Sequence, residues 1–80
     1  MNPEWTLSTS SAVEAYRYLP QQAILQIVFR QGRHWCDYPC DAPMFAAFAA
    51  ASSKGRFVER VLKPHAQGLG WSRPPRAWYG

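Results

Sequence analysis

Between Ile24 and Tyr38 the chain reads I-L-Q-I-V-F-R, then Q-G, then R-H-W-C-D-Y. Leu25, Ile27 and Phe29 alternate with Gln26, Val28 and Arg30, the two-residue period of a half-buried strand. Gln31-Gly32 is a two-residue turn signal, with glycine supplying a positive φ, so Arg33–Tyr38 returns antiparallel. A hairpin with one apolar face must be covered by something, and the rest of the chain is constrained to supply that cover. Upstream, A-V-E-A-Y-R-Y from Ala12 to Tyr18 favours extended backbone and ends before Pro20, which cannot donate to a ladder. The expected sheet is a three-stranded antiparallel meander.

Downstream the period changes to that of a helix. Asp41 is a natural N-cap for Ala42–Ala51, and Pro43 is tolerated in a first turn whose N–H groups have no helical partner. Met44, Phe45 and Phe48 share one face of that helix, and its alanines allow close approach to the sheet. Ser53 is placed to cap a second helix, Lys54–Lys63, which Pro64 is expected to end. Phe57, Val58, Val61 and Leu62 form its apolar stripe, while Arg56, Arg60 and Lys63 point outward beside Glu59. The fold class is therefore α+β, in the order βββαα. Residues 1–10 read as a flexible N-terminus and 11–63 as the folded domain. Residues 64–80, rich in Gly, Pro, Trp and Arg, read as a flexible C-terminal tail.

In this order the segments resemble the KTSC family, a short domain found at the C-terminus of some bacterial lysyl-tRNA synthetases and as stand-alone small proteins. The resemblance rests on Ser10-Ser11-x-Val13 with Tyr18, on Leu25-x-Ile27-x-Phe29-x-x-Gly32, on the aromatic strand around Trp35, on Phe45-x-x-Phe48 and on S-K-G-R-F at Ser53–Phe57. It spans about residues 10 to 63. The family's Tyr-x-Tyr pair is replaced by Trp35-Cys36-Asp37, so Asp37 stands in the second aromatic place. The resemblance implies a small non-catalytic module of uncharacterised role, with RNA binding as an expectation.

The net charge of +4 is carried mostly by arginine, with lysine only at Lys54 and Lys63. Such a balance favours anionic partners. A phosphate loop of the nucleotide-hydrolysing kind is excluded, because Ser53-Lys54-Gly55 lacks the glycine five residues upstream. Ser53 and Gly55 instead read as a helix start, to which Lys54, Arg56, Arg60 and Lys63 add a positive face able to track a phosphate backbone. Arg30 and Arg33 at the hairpin tip and Trp35 as a stacking ring complete the candidate nucleic-acid-binding set.

Cys36 and Cys40 are too few for a disulfide framework, and with His34 and Asp41 they lack the paired spacing of a zinc site. Neither cysteine has an orienting partner for nucleophilic catalysis. Hence no catalytic residue, metal or cofactor is expected. Met1–Ser11 has no secretory character and Met44–Ala51 is too short to cross a bilayer, so the expected setting is the cytoplasm. The expected partner is RNA, such as tRNA. The alternative is a protein docked to the tail or to a sheet edge.

Overall fold

The computed structural model describes residues 4–78. One antiparallel sheet holds five strands in sequence order: β1 (Thr6–Leu7), β2 (Val13–Leu19), β3 (Ile24–Phe29), β4 (His34–Pro39) and β5 (Arg76–Ala77). The three expected strands form its centre. Helix α1 (Ala42–Ala50) and a longer rod cover one face of the sheet. The rod consists of α2 (Lys54–Phe57), a π-helical turn (Val58–Leu62) and α3 (Lys63–Gly68).

The expected caps are present. Asp41 accepts from the Met44 amide at 2.9 Å, and Ser53 accepts from the Arg56 amide at 3.4 Å. Phe48, Val58, Leu62 and Ala66 are the buried helix residues, packed with Val13, Leu25, Ile27, Tyr38 and Cys40. Tyr18 stacks on Phe45 at 4.5 Å, and Tyr16 meets Phe48 edge-on at 5.1 Å. A bulge at Glu14, between the pairs Val13↔Phe29 and Ala15↔Val28, resets the alternation of β2. Val13 and Tyr16 thereby both reach the helix side.

Several details differ from the sequence expectation. The β3–β4 connection spans residues 30–33 rather than two residues, because Phe29 pairs with His34, and both Gly32 and Arg33 have positive φ. Strand β3 is covered on both faces rather than one: Gln26 and Val28 are buried, as are Leu25 and Ile27. The second helix does not stop at Lys63. The π turn carries the chain past Pro64, with the Lys63 amide bonded to the Val58 carbonyl, and Pro64 falls in the first turn of α3 where no N–H is needed.

The rod ends in a Schellman cap, Trp71 N–H to Ala66 O at 2.9 Å and Gly70 N–H to Gln67 O at 3.1 Å, with Gly70 at φ +68°. Each of the two segments flanking the expected domain contributes a short strand to the sheet. Residues 6–7 pair with β2, and the tail runs back along the free edge of β4 as β5. Residues 1–3 and 79–80 of those expectations lie outside the described part.

Candidate functional site

The face of the sheet away from the helices is built by strand alternation. It carries Ala15, Arg17 and Leu19 from β2, Ile24, Gln26 and Val28 from β3, and Trp35 and Asp37 from β4. Register sets Arg17, Gln26 and Asp37 in one cross-strand row. Arg17 Nε donates to Gln26 Oε1 at 2.5 Å, and Gln26 Nε2 donates to Asp37 Oδ1 at 3.1 Å. Asp37 Oδ2 takes Arg73 Nη1 at 3.1 Å and Arg76 Nη2 at 3.6 Å, while the Trp71 indole donates to the Asp37 carbonyl at 3.0 Å. The Asp37 side chain is only 5% exposed, and these donors supply the hydrogen bonds that a buried carboxylate requires.

A row of rings and guanidinium groups runs beside this network. Arg17 lies 4.1 Å from the Trp5 ring centre, Trp5 meets Trp35 edge-on at 5.9 Å, and Arg76 lies 4.7 Å from Trp35. Two more such pairs follow the C-terminal strap, residues 72–78, with Arg73 on Trp71 at 4.2 Å and Arg33 on Trp78 at 4.9 Å. Each pair is a cation–π contact with some solvent exposure. Burial pulls the Arg17 pKa down and Asp37 pulls it back, and a guanidinium stays charged through such shifts.

The residues singled out in sequence divide between this face and the other. Lys54 turns back to cap α1, its Nζ bonded to the carbonyls of Ala49 and Ala51 at 3.1 and 3.2 Å. Arg30 clamps the N-terminal loop through the carbonyls of Ser8, Ser10 and Val13. Lys63 pairs with Glu59 at 2.7 Å, as the i,i+4 spacing foretells. Arg56 and Arg60 are exposed on the rod. Arg33 and Trp35 belong to the β4 side of the molecule, and Trp35 faces away from the helices. The helix cations and Trp35 thus do not form one surface.

Gly55 completes the reading of S-K-G-R. A Cβ there would come within 3.0 Å of the Ala12 Cβ, so the glycine lets the rod approach the entry of β2. Serine caps one helix, lysine caps the other, glycine makes the close contact, and the Arg56 side chain is left exposed. What sequence reasoning missed is Trp5, Arg17, Gln26, Arg73 and Arg76 as one group. The signals were the parity of Arg17, Gln26 and Asp37, and the helix-ending G-L-G-W at Gly68–Trp71.

On the helix side, Cys36 and Tyr38 line a groove of about 650 Å³ with His34, Glu59 and Lys63. Burial raises the Cys36 thiol pKa more than the Tyr38 hydroxyl and Lys63 lower it, and burial pushes Cys40 from 9.0 up to about 11. Both thiols are therefore protonated at neutral pH, the reverse of an activated nucleophile. Alkylation by iodoacetamide at pH 9 is expected to be slow in the folded protein and fast in urea. Between pH 9 and about 11 the unfolded chain releases a proton that folded Cys40 keeps. The stability contributed by this group is complete below pH 9 and is lost as pH rises through 11. A urea midpoint that does not fall across that window would contradict the assignment. Among the described residues no group of three or more His, Cys, Asp or Glu is placed to hold a metal ion, and no helix is long and apolar enough to cross a membrane.

Residues 9–65 match the sequence profile of the KTSC domain. This chain belongs to the KTSC domain family. A protein of Tsukamurella paurometabola is 40% identical to it over 55 residues, covering 69% of this chain and 82% of that protein. The crystal structure of a KTSC domain protein from Yersinia pestis superimposes with a TM-score of 0.70 at 30% identity, covering 75% of this chain and 84% of the other. The matched span of this KTSC domain holds Arg17, Gln26, Trp35 and Asp37, whereas Trp5, Trp71, Arg73, Arg76 and Trp78 lie outside it. The outer-face cluster is thus assembled from the family core and from two flanking segments of this particular KTSC chain.

Proposed function

We propose that this KTSC domain is a non-catalytic module that binds single-stranded RNA across the outer face of its sheet. The observation that carries the reading is the grouping of four arginine–tryptophan pairs around one surface, where the Asp37 carboxylate is already taken by arginine. Unpaired bases stack on indole and guanidinium planes, at about 1–3 kcal/mol per base. The same guanidinium groups reach phosphate oxygens. A flat platform of this kind favours splayed bases over a duplex, whose bases are not available for stacking. The protonated thiols of Cys36 and Cys40 support a role without covalent chemistry.

The test is fluorescence anisotropy with a labelled single-stranded RNA, a tRNA and a duplex at several salt concentrations. Single-stranded RNA is expected to bind most tightly, with log K falling by about 0.7 per phosphate neutralised for each decade of salt. Trp35→Ala is expected to weaken binding by about 1–3 kcal/mol. Lys54→Ala, which removes the cap on α1 and the ammonium's contacts with the Tyr16 and Phe48 rings on the helix side, should lower the melting temperature and leave the RNA affinity in place. Equal loss from Lys54→Ala and none from Trp35→Ala would move the site to the helix side. No binding at low salt would end the RNA reading.

A further inference from the structure

The C-terminal strap is mounted unevenly. Its receptor is built into the sheet, since Asp37 is almost wholly buried and held by Gln26. The root of the strap is also fixed, by the Schellman cap and by the Trp71 indole on the Asp37 carbonyl. Beyond that root the strap is light. Strand β5 pairs with β4 only at His34↔Ala77 and Trp35↔Arg76, and the Trp78 amide adds one bond to the Arg33 carbonyl at 3.0 Å. The side chains of Arg73 and Arg76 are 43% and 54% exposed, and partly solvated ion pairs contribute only about 0–1 kcal/mol each. Pro74-Pro75 favours an extended backbone at this point, as a strand donor requires.

We propose that the free edge of β4 is a strand-exchange surface whose occupant in trans is residues 73–78 of a second copy of this chain. Opening the strap bares the β4 amides and carbonyls, a template for another strand, and leaves Asp37 without its arginines. The strap of a second copy restores each of those contacts: two arginines on Asp37, Arg76 on Trp35 and the short ladder. Reciprocal exchange closes under twofold symmetry. Because the contacts are the same in cis and in trans, the equilibrium is governed by the entropy of association and by concentration. A fully extended run from Ser72 to Trp78 spans roughly 23 Å, enough to reach from one β4 edge to another packed beside it. The exchange shares Arg73, Arg76 and Trp35 with the proposed RNA platform, and its test therefore reads mass and peptide binding rather than RNA affinity.

Sedimentation equilibrium of the full-length protein tests the exchange directly. Between about 10 µM and about 1 mM the mean mass is expected to climb from 9.1 kDa toward twice that value, while the Arg73→Ala/Arg76→Ala variant, whose detached strap competes with the cis and the trans arrangement alike, forms less dimer at every concentration. A labelled peptide of residues 71–78 is then titrated into that double variant, whose own strap is weakened. It is expected to bind saturably, and about tenfold more weakly once Asp37→Asn is added. A wild-type mass that stays at 9.1 kDa throughout overturns the proposal. So does a dimer that the double variant forms equally well, or a scrambled peptide of the same charge that binds as tightly.

Discussion

Phe48→Ala is expected to lower the stability of the folded domain by about 3–5 kcal/mol. Phe48 is fully buried, and its ring meets Tyr16 at 5.1 Å and Phe57 at 5.8 Å. It is the one buried residue of α1 and holds that helix against both the sheet and the rod. Truncation removes the transfer free energy of the ring and leaves a cavity that three surrounding elements cannot all close at once. Domains of this size have total stabilities of roughly 5–15 kcal/mol, so the loss is a large share of the whole. Urea unfolding followed by tryptophan fluorescence should show a sharply lower midpoint with little change in slope. A loss below about 1 kcal/mol would mean that α1 is not held through this ring.

Asp37→Ala is expected to have the second largest effect, and a local one. The substitution removes the acceptor of Gln26, Arg73 and Arg76 at once. Gln26 is buried, and leaving such a group without its partner costs about 1–3 kcal/mol. The arginines can turn to water, so their part of the loss is smaller. The strap should therefore detach before the core opens. Trypsin offers a direct readout: cleavage after Arg76 is expected to quicken well beyond the change in global unfolding, whereas the bond after Arg73 is blocked by Pro74. Cleavage at an unchanged rate would mean that the ladder and Trp71, rather than the carboxylate, retain the strap.

This carboxylate also gives meaning to the departure at Asp37 from the aromatic pair of the resembling family. A tyrosine at this position could not accept two guanidinium groups, and without them the strap would lose its ionic anchor. In this chain a carboxylate stands at position 37, and the segment after the rod brings Trp71, Arg73 and Arg76 to it.

Much of the scaffold was legible from local chemistry. The alternation in Leu25–Phe29 marks a strand whichever neighbours it finds, and Asp41 and Ser53 cap their helices through bonds spanning three residues. The Glu59–Lys63 pair is equally local. These features depend on distances that the helix or strand geometry itself fixes.

The candidate site was legible only in fragments, for a different physical reason. Lys54 and Arg30 look like free cations in sequence, yet each is claimed by backbone carbonyls that the fold carries to it. Pro64 reads as a helix stop because sequence shows its missing N–H but not the π turn that makes the bond unnecessary. Arg17, Gln26 and Asp37 are separated along the chain and become neighbours only through strand register, and Trp5 and Arg76 join them from opposite ends. Periods, caps and turns thus settled the elements from contacts within a few residues. Which charges remained available, and which face of the sheet gathered them, depended on long-range pairing, because a guanidinium or ammonium group takes whichever carbonyl, carboxylate or ring the folded chain presents.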